Sequence, residues 1–173
     1  MSARLFSDSF RELRSYCERA CFAGWDPYDG LSSLILRAAP VLTATPFLRQ
    51  AWTQFFKRSP VNLRPLFFVP KTENAKALAL FLSGYSALYR AKRLPEDKHW
   101  IDRLAQMLVA ARVTGYSGSC WGYPFDWQSR AFFLPAKTPN IIVTTFAGNA
   151  LLDAYEATRT GIYLTTARAI VPF

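Results

Sequence analysis

The sequence predicts an all-α protein in which outer and inner helices alternate, the arrangement of an α/α toroid. Three observations predict it: helical periodicity runs through most of the chain, the helices are of two kinds that alternate, and part of the chain occurs twice. Phe67-Phe68-Val69-Pro70-Lys71-Thr72-Glu73-Asn74 returns as Phe132-Phe133-Leu134-Pro135 and, one residue later, Lys137-Thr138-Pro139-Asn140. Lys71 and Lys137 stand 66 residues apart, and the same step carries Tyr89 to Tyr155, Ala91 to Ala157 and Arg93 to Arg159. Hairpins repeated at such a period stack as two concentric rings. About three hairpins are expected in these 173 residues, so the ring is incomplete. Residues 1–173 read as one all-α domain, the N-terminal part of a longer toroid, because repeat arrays need an end cap and none follows the last helix.

Each element has its own signal. Phe6, Phe10, Leu13, Cys17 and Ala20 recur at steps of three and four, with Arg4, Asp8, Arg11, Glu12, Glu18 and Arg19 between them. That is a helix with one buried face. The turn-forming run Trp25-Asp26-Pro27-Tyr28-Asp29-Gly30 follows, then a short apolar helix from Leu31 to about Ala39, stopped by Pro40. A third helix starts at Pro46 after Thr45 and ends near Lys57, with Phe47, Leu48, Ala51, Trp52, Phe55 and Phe56 on one face. Pro60, Pro65 and Pro70 keep the next stretch extended. Helix four spans roughly 73–92, and helix five opens at Pro95, with Ile101, Leu104, Leu108 and Ala111 inward and Asp97 and Asp102 outward. A long loop, 115–139, leads into helix six (about 140–158), and Gly161 separates a last segment, 162–170. Helices one, three and five are amphipathic. Helices four and six are apolar or small nearly all round, as expected when more than one side is buried.

Composition excludes several classes. Half of the residues are hydrophobic, which argues against disorder. The formal net charge is +9, but the basic residues are scattered and no nucleic-acid motif is present, so a solvated basic surface or an anionic sugar ligand is the expectation. The three cysteines (Cys17, Cys21 and Cys120) have no disulfide-framework or zinc spacing, and a single His99 adds no ligand set, so no metal and no cofactor are expected, in a reducing, cytoplasmic compartment. No apolar run reaches transmembrane length, and no phosphate-binding or dinucleotide Gly-rich motif appears.

The densest chemistry is the run Trp121-Gly122-Tyr123-Pro124-Phe125-Asp126-Trp127-Gln128. Loops entering inner helices surround the mouth of a toroid's cavity. Flat rings suit the C–H face of a pyranose while a few polar groups bond its hydroxyls. Trp121, Tyr123 and Trp127 are the candidate sugar platform, Gln128 and Asn140 the polar contacts, and Arg130 a fork for a carboxylate or phosphate. Asp126 is the candidate catalytic group. A two-carboxylate mechanism needs a partner at a fixed separation, and Asp26 and Asp29 are the candidates, although Asp-Pro and Asp-Gly also make turns and caps without any ligand. Aromatics packed as a plug are the alternative for the whole loop. Thr72 and Thr138 read as caps of the helices they precede, and Asn140, Thr144, Thr145 and Asn149 form a polar stripe facing either a cavity or neighbouring helices.

The run 120–128, leading through Thr138-Pro139 into an inner helix, resembles α/α-toroid proteins of bacterial polysaccharide-biosynthesis clusters, which are similar in outline to six-hairpin glycosidases and terpenoid-cyclase toroids. The resemblance implies a protein of surface-glycan biosynthesis or modification that binds a carbohydrate or sugar phosphate at the rim loop, alongside other glycan-assembly proteins. The alternatives are a non-catalytic carbohydrate-binding or scaffold module of a glycosyltransferase complex, and a toroid for an isoprenoid or lipid-linked substrate. The acid-rich signature of terpenoid cyclases is missing.

Overall fold

The computed structural model describes residues 2–170, with side chains from Asp8 onward. Its α-helices are α1 (Ser2–Arg19), α2 (Leu34–Ala38), α3 (Pro46–Arg58), α4 (Ala75–Lys92), α5 (Pro95–Ala110), α6 (Ile141–Thr158) and α7 (Gly161–Arg168). Four two-residue strands, β1 (Ala23–Gly24), β2 (Thr72–Glu73), β3 (Trp127–Gln128) and β4 (Phe133–Leu134), pair antiparallel as β1–β2 and β3–β4. The class is all-α.

The repeated sequence is a repeated structure. Both α4 and α6 have 18 residues, and each starts at an asparagine whose side chain accepts from the backbone N–H two residues on, Lys76 for Asn74 and Ile142 for Asn140. Those asparagines cap the helices, where the sequence pointed to Thr72 and Thr138. A carboxamide two residues later reaches the same orphan N–H groups, and Thr72 is drawn into β2. Each helix ends on an arginine in the left-handed region, Arg93 at φ 54° and Arg159 at φ 61°, whose N–H donates to the carbonyl of Tyr89 or Tyr155. Such an end usually falls to glycine.

Sharp turns after these arginines fold the chain into two hairpins, α4/α5 and α6/α7. Helix α4 lies against both α5 and α6. Leu78, Leu82, Ile101, Leu104, Leu108, Trp121, Val143 and Leu151 form the water-free centre of this core. The second helices of the two hairpins, α5 and α7, are also linked in register. Tyr163 of α7 donates to Asp102 of α5 at 2.6 Å, and the position 66 residues before Tyr163 is Asp97. That carboxylate is buried with Arg14 Nη1 of α1 at 2.9 Å, close enough for ion pairing, although neither Asp97 oxygen has a hydrogen bond of good geometry. Asp97 therefore faces inward, not outward as its place on the amphipathic pattern suggests. The guanidinium of Arg14 gives the buried charge a partner.

Helices α2 and α3 depart from the predicted alternation. They are an insertion between α1 and α4, packed over a separate small core of Leu31, Leu36, Phe56 and Val69 with Trp25, Trp52, Leu63 and Phe67. The aromatic stripe of α3 divides: Phe56 is buried while Phe47 and Phe55 are exposed. The apolar segment from Leu31 is broken by Ser33, whose hydroxyl caps α2 by accepting from Leu36 N, so a 3-10 turn (Asp29–Ser32) precedes a helix of only five residues.

Candidate functional site

Two loops enter the core helices, one before α4 and one before α6, and they are built alike. In each, a tryptophan is anchored through its indole N–H to a backbone carbonyl: Trp25 to Val69 at 2.9 Å, Trp121 to Leu108 at 2.6 Å. In each, residues flanking the tryptophan pair with the segment that launches the helix. Ala23 and Gly24 pair with Glu73 and Thr72, while Asn140 N and Lys137 N donate to the carbonyls of Trp121 and Tyr123. Both loops then read Pro, aromatic, Asp: Pro27-Tyr28-Asp29 and Pro124-Phe125-Asp126.

The first loop is held by an internal ion pair. Arg64 Nε donates to Asp29 Oδ1 at 2.7 Å, Arg64 Nη2 donates to the carbonyl of Asp26 at 2.9 Å, and the other Asp29 oxygen accepts from Asp26 N. Asp29 is almost fully buried, and its burial raises its pKa despite Arg64. Its side chain works within the loop and caps no helix. Asp26 stands at the front. One of its oxygens accepts from Tyr28 N, and the other from the amide of Asn74 at 3.1 Å, the residue that also caps α4.

Between the two loops lies a groove of about 330 Å³. One wall carries Asp26, Tyr28, Asn74 and Lys76; the other carries Tyr123, Phe125 and Trp127. The rings form a connected set: Tyr123 stacks on Phe125 at 5.5 Å, and Trp127 meets Tyr123 at 6.3 Å and Tyr28 at 6.0 Å, both edge to face. Burial, and then the charge of Asp26, raise the pKa of the Tyr123 phenol. Tyr123 is thus a protonated donor beside a carboxylate.

The sequence-selected residues separate into groups. Tyr123 and Trp127 line the groove. Trp121 is wholly buried beneath it, with its backbone N–H and carbonyl both bonded to the Thr144 hydroxyl. Gln128 is buried between loop and insertion, accepting from Arg49 Nε at 2.8 Å and donating to Ser129 and Phe132 carbonyls. Asn140 caps α6, and Arg130 is exposed at the turn between β3 and β4. Asp126 accepts from Ala136 N at 2.7 Å and lines a different cavity, about 190 Å³, with Arg37, Thr43, Arg49 and Phe133. Asp26 and Asp126 therefore open into different cavities. The polar stripe of α6 divides too: Thr144 is buried against Trp121, while Thr145 and Asn149 are exposed.

Two groove residues, Asn74 and Lys76, were not singled out from sequence. Their signal was there. Asn74 is the repeat counterpart of Asn140, and Lys76 is the one charged residue between Ala75 and Tyr89, where Ile142 stands in the second copy. Among the described residues no group of three or more His, Cys, Asp or Glu is placed to hold a metal ion, and no helix is long and apolar enough to cross a membrane. No family model, curated protein or solved structure matches the chain.

Proposed function

We propose that this chain is an arc of an α/α toroid whose rim groove binds a carbohydrate, in the assembly or modification of a surface glycan. The observation that carries the reading is the make-up of the groove between the two loops. Four aromatic rings surround one carboxylate, one carboxamide and one ammonium group in a volume suited to one or two sugar rings. Mostly apolar walls with a few fixed polar groups are the usual composition of a ligand site. A pyranose offers C–H faces to rings such as Trp127 and Tyr123, while its hydroxyls donate to Asp26 and accept from Tyr123 and Lys76. Lys76 also gives the site a preference for an anionic or phosphorylated sugar.

Binding, not two-carboxylate hydrolysis, is the proposed role. A glycosidase needs its two acids across one bond, whereas Asp26 and Asp126 line separate cavities and Asp29 is neutralised by Arg64. Titration with a panel of neutral and acidic oligosaccharides, followed by tryptophan fluorescence and calorimetry, tests the reading. Saturable binding is expected, lost in Trp127→Ala and at least about tenfold weaker in Asp26→Asn, the loss of one charge-assisted hydrogen bond. A wild-type protein that binds no sugar in the panel sinks it.

A further inference from the structure

The repeat relates α4 to α6 position by position, and it exposes a mismatch in what covers them. On α6, Val143, Ala147, Ala150, Ala154 and Ala157 are buried. Their counterparts 66 residues earlier are Ala77, Phe81, Gly84, Leu88 and Ala91, all half-buried or exposed. The opposite stripe reverses the pattern: Ala75, Ala79 and Ser86 of α4 are buried, while Ile141, Thr145 and Leu152 of α6 are exposed. Each inner helix thus has a front stripe and a back stripe. The front of α4 is packed on α6, whereas the back of α4 is only partly covered by the described residues, with Phe81 against Phe22.

That partly covered stripe forms one side of an apolar channel of about 380 Å³, whose other side is α1. Phe10, Leu13 and Cys17 of α1 face Phe81, Gly84 and Leu88 of α4 across it. Its position in the repeat identifies it. Helix α4 itself lies against both α5 and α6, and α1 precedes α4 as α5 precedes α6. The space between α1 and α4 is the counterpart of the seat that α4 occupies one repeat later.

We propose that this channel is the seat for the inner helix of a further hairpin, presenting a front stripe like that of α6. Continuity with the α4–α6 interface gives the occupant its shape: small and aliphatic residues at steps of three and four, matched to a back stripe containing Gly84 and Ala91. Charge gives it a second feature. Within the chain Arg90 on the front of α4 reaches Glu156 of α6 at 3.3 Å and Asp153 at 3.9 Å. The α6 residue in the Arg90 position is Glu156, so an α6-like front sets an acid against Arg90 from the other side. The α4 end also shows the pattern at its cap, where Arg93 Nη1 donates to the carbonyl of Ala157 at 3.1 Å; the corresponding pair is Arg159 on the occupant and Ala91 on α4. The inference is independent of the carbohydrate reading.

The probe is a synthetic peptide of residues 141–158, held helical by a hydrocarbon staple between positions 147 and 151 on the side away from the front stripe, and labelled with fluorescein. An unconstrained helix of this length is marginal in water, hence the staple. Fluorescence anisotropy is expected to show saturable binding to the intact chain. Gly84→Phe is expected to weaken it at least about tenfold, because a Cβ at Gly84 meets nothing within 4 Å and the added ring enters the channel without disturbing the core. Arg90→Glu is expected to weaken binding as well, with recovery when the peptide carries Glu156→Arg. The proposal is overturned if the wild-type chain does not bind the peptide, or if Gly84→Phe leaves binding unchanged. It is equally overturned if sedimentation shows a self-association that Gly84→Phe abolishes while the peptide does not bind, since the channel then belongs to a second copy.

Discussion

The loop before α4 and the loop before α6 share a tryptophan anchor and a Pro-aromatic-Asp sequence, yet they spend their polar groups differently. After Trp25 comes Asp26, whose carboxylate is held by Asn74 at the edge of the groove. After Trp121 comes Gly122, where an added Cβ would lie 2.1 Å from the carbonyl oxygen of Thr138. In the second loop the backbone of the helix-launching segment has moved into the space that a side chain fills in the first. The aspartate that closes each motif also differs: Asp29 is neutralised internally by Arg64, whereas Asp126 holds a backbone amide at the edge of a smaller cavity. One copy of a structural unit presents a carboxylate, and the other presents ring faces. The groove exists because the two copies face each other.

That contrast is open to direct test, beginning with the largest effect. Asp29→Ala leaves the Arg64 guanidinium buried and unpaired, and loss of one member of a buried pair costs about 3–5 kcal/mol. Urea denaturation reads it. Asp126→Ala, at the matching position but only half-buried and without an ion pair among the described residues, is expected to cost about 1–2 kcal/mol, the price of one hydrogen bond to a backbone amide. Equal losses would mean that the two aspartates do the same job. Gly122→Ala comes next. The Thr138 backbone must shift to admit the methyl group, at about 1–3 kcal/mol of overpacking, whereas Gly24→Ala, beside the first tryptophan and with open space around its Cβ, is expected to be close to neutral. Smaller again is the change in ligand affinity: Asp26→Asn weakens oligosaccharide binding about tenfold, or about 1.4 kcal/mol, while Asp126→Asn leaves it unaltered. Reversal of that last pair would move the site to the Asp126 cavity.

The architecture was legible where periodicity and repetition carry it. The presence of α4, α5 and α6, and the burial of Ile101, Leu104 and Leu108, follow from apolar spacing, with Pro95 marking the start of α5. The insertion was not legible, because Phe47, Trp52, Phe55 and Phe56 have the spacing of a core helix although only Phe56 is buried. Spacing reports a face, not what lies opposite it. The candidate site was half legible. Tyr123 and Trp127 stood out as an aromatic cluster, but Trp121 and Gln128 belong to the same run and are consumed by packing. Their neighbours in space, Leu108, Thr144 and Arg49, come from distant parts of the sequence. The pairing of the two loops was obscured by the insertion, which lengthens the path from Asp29 to Asn74 and hides a motif that recurs nearly intact.

The smallest effect discriminates most finely between the two copies. Arg93 and Arg159 both adopt a left-handed backbone, at the ends of α4 and α6, a conformation that costs an L-residue about 1–2 kcal/mol and glycine little. Glycine returns part of that gain through the greater entropy of its unfolded chain, about 0.5–1 kcal/mol. At position 159, among the described residues, the side chain gives up its contact over the Tyr155 ring at 5.6 Å. Arg159→Gly is therefore expected to stabilise the protein by a few tenths of a kcal/mol, on the order of 0.5. At position 93 the guanidinium also donates to the carbonyl of Ala157 across the helix pair, and a charged hydrogen bond contributes about 1.5–3 kcal/mol. Arg93→Gly is expected to destabilise by about 1 kcal/mol for that reason. Opposite signs in matched urea titrations would establish that the hydrogen bond from Arg93 to Ala157 separates the two equivalent arginines. The same sign at both positions would remove the bond to Ala157 from the account of how α4 and α6 are joined.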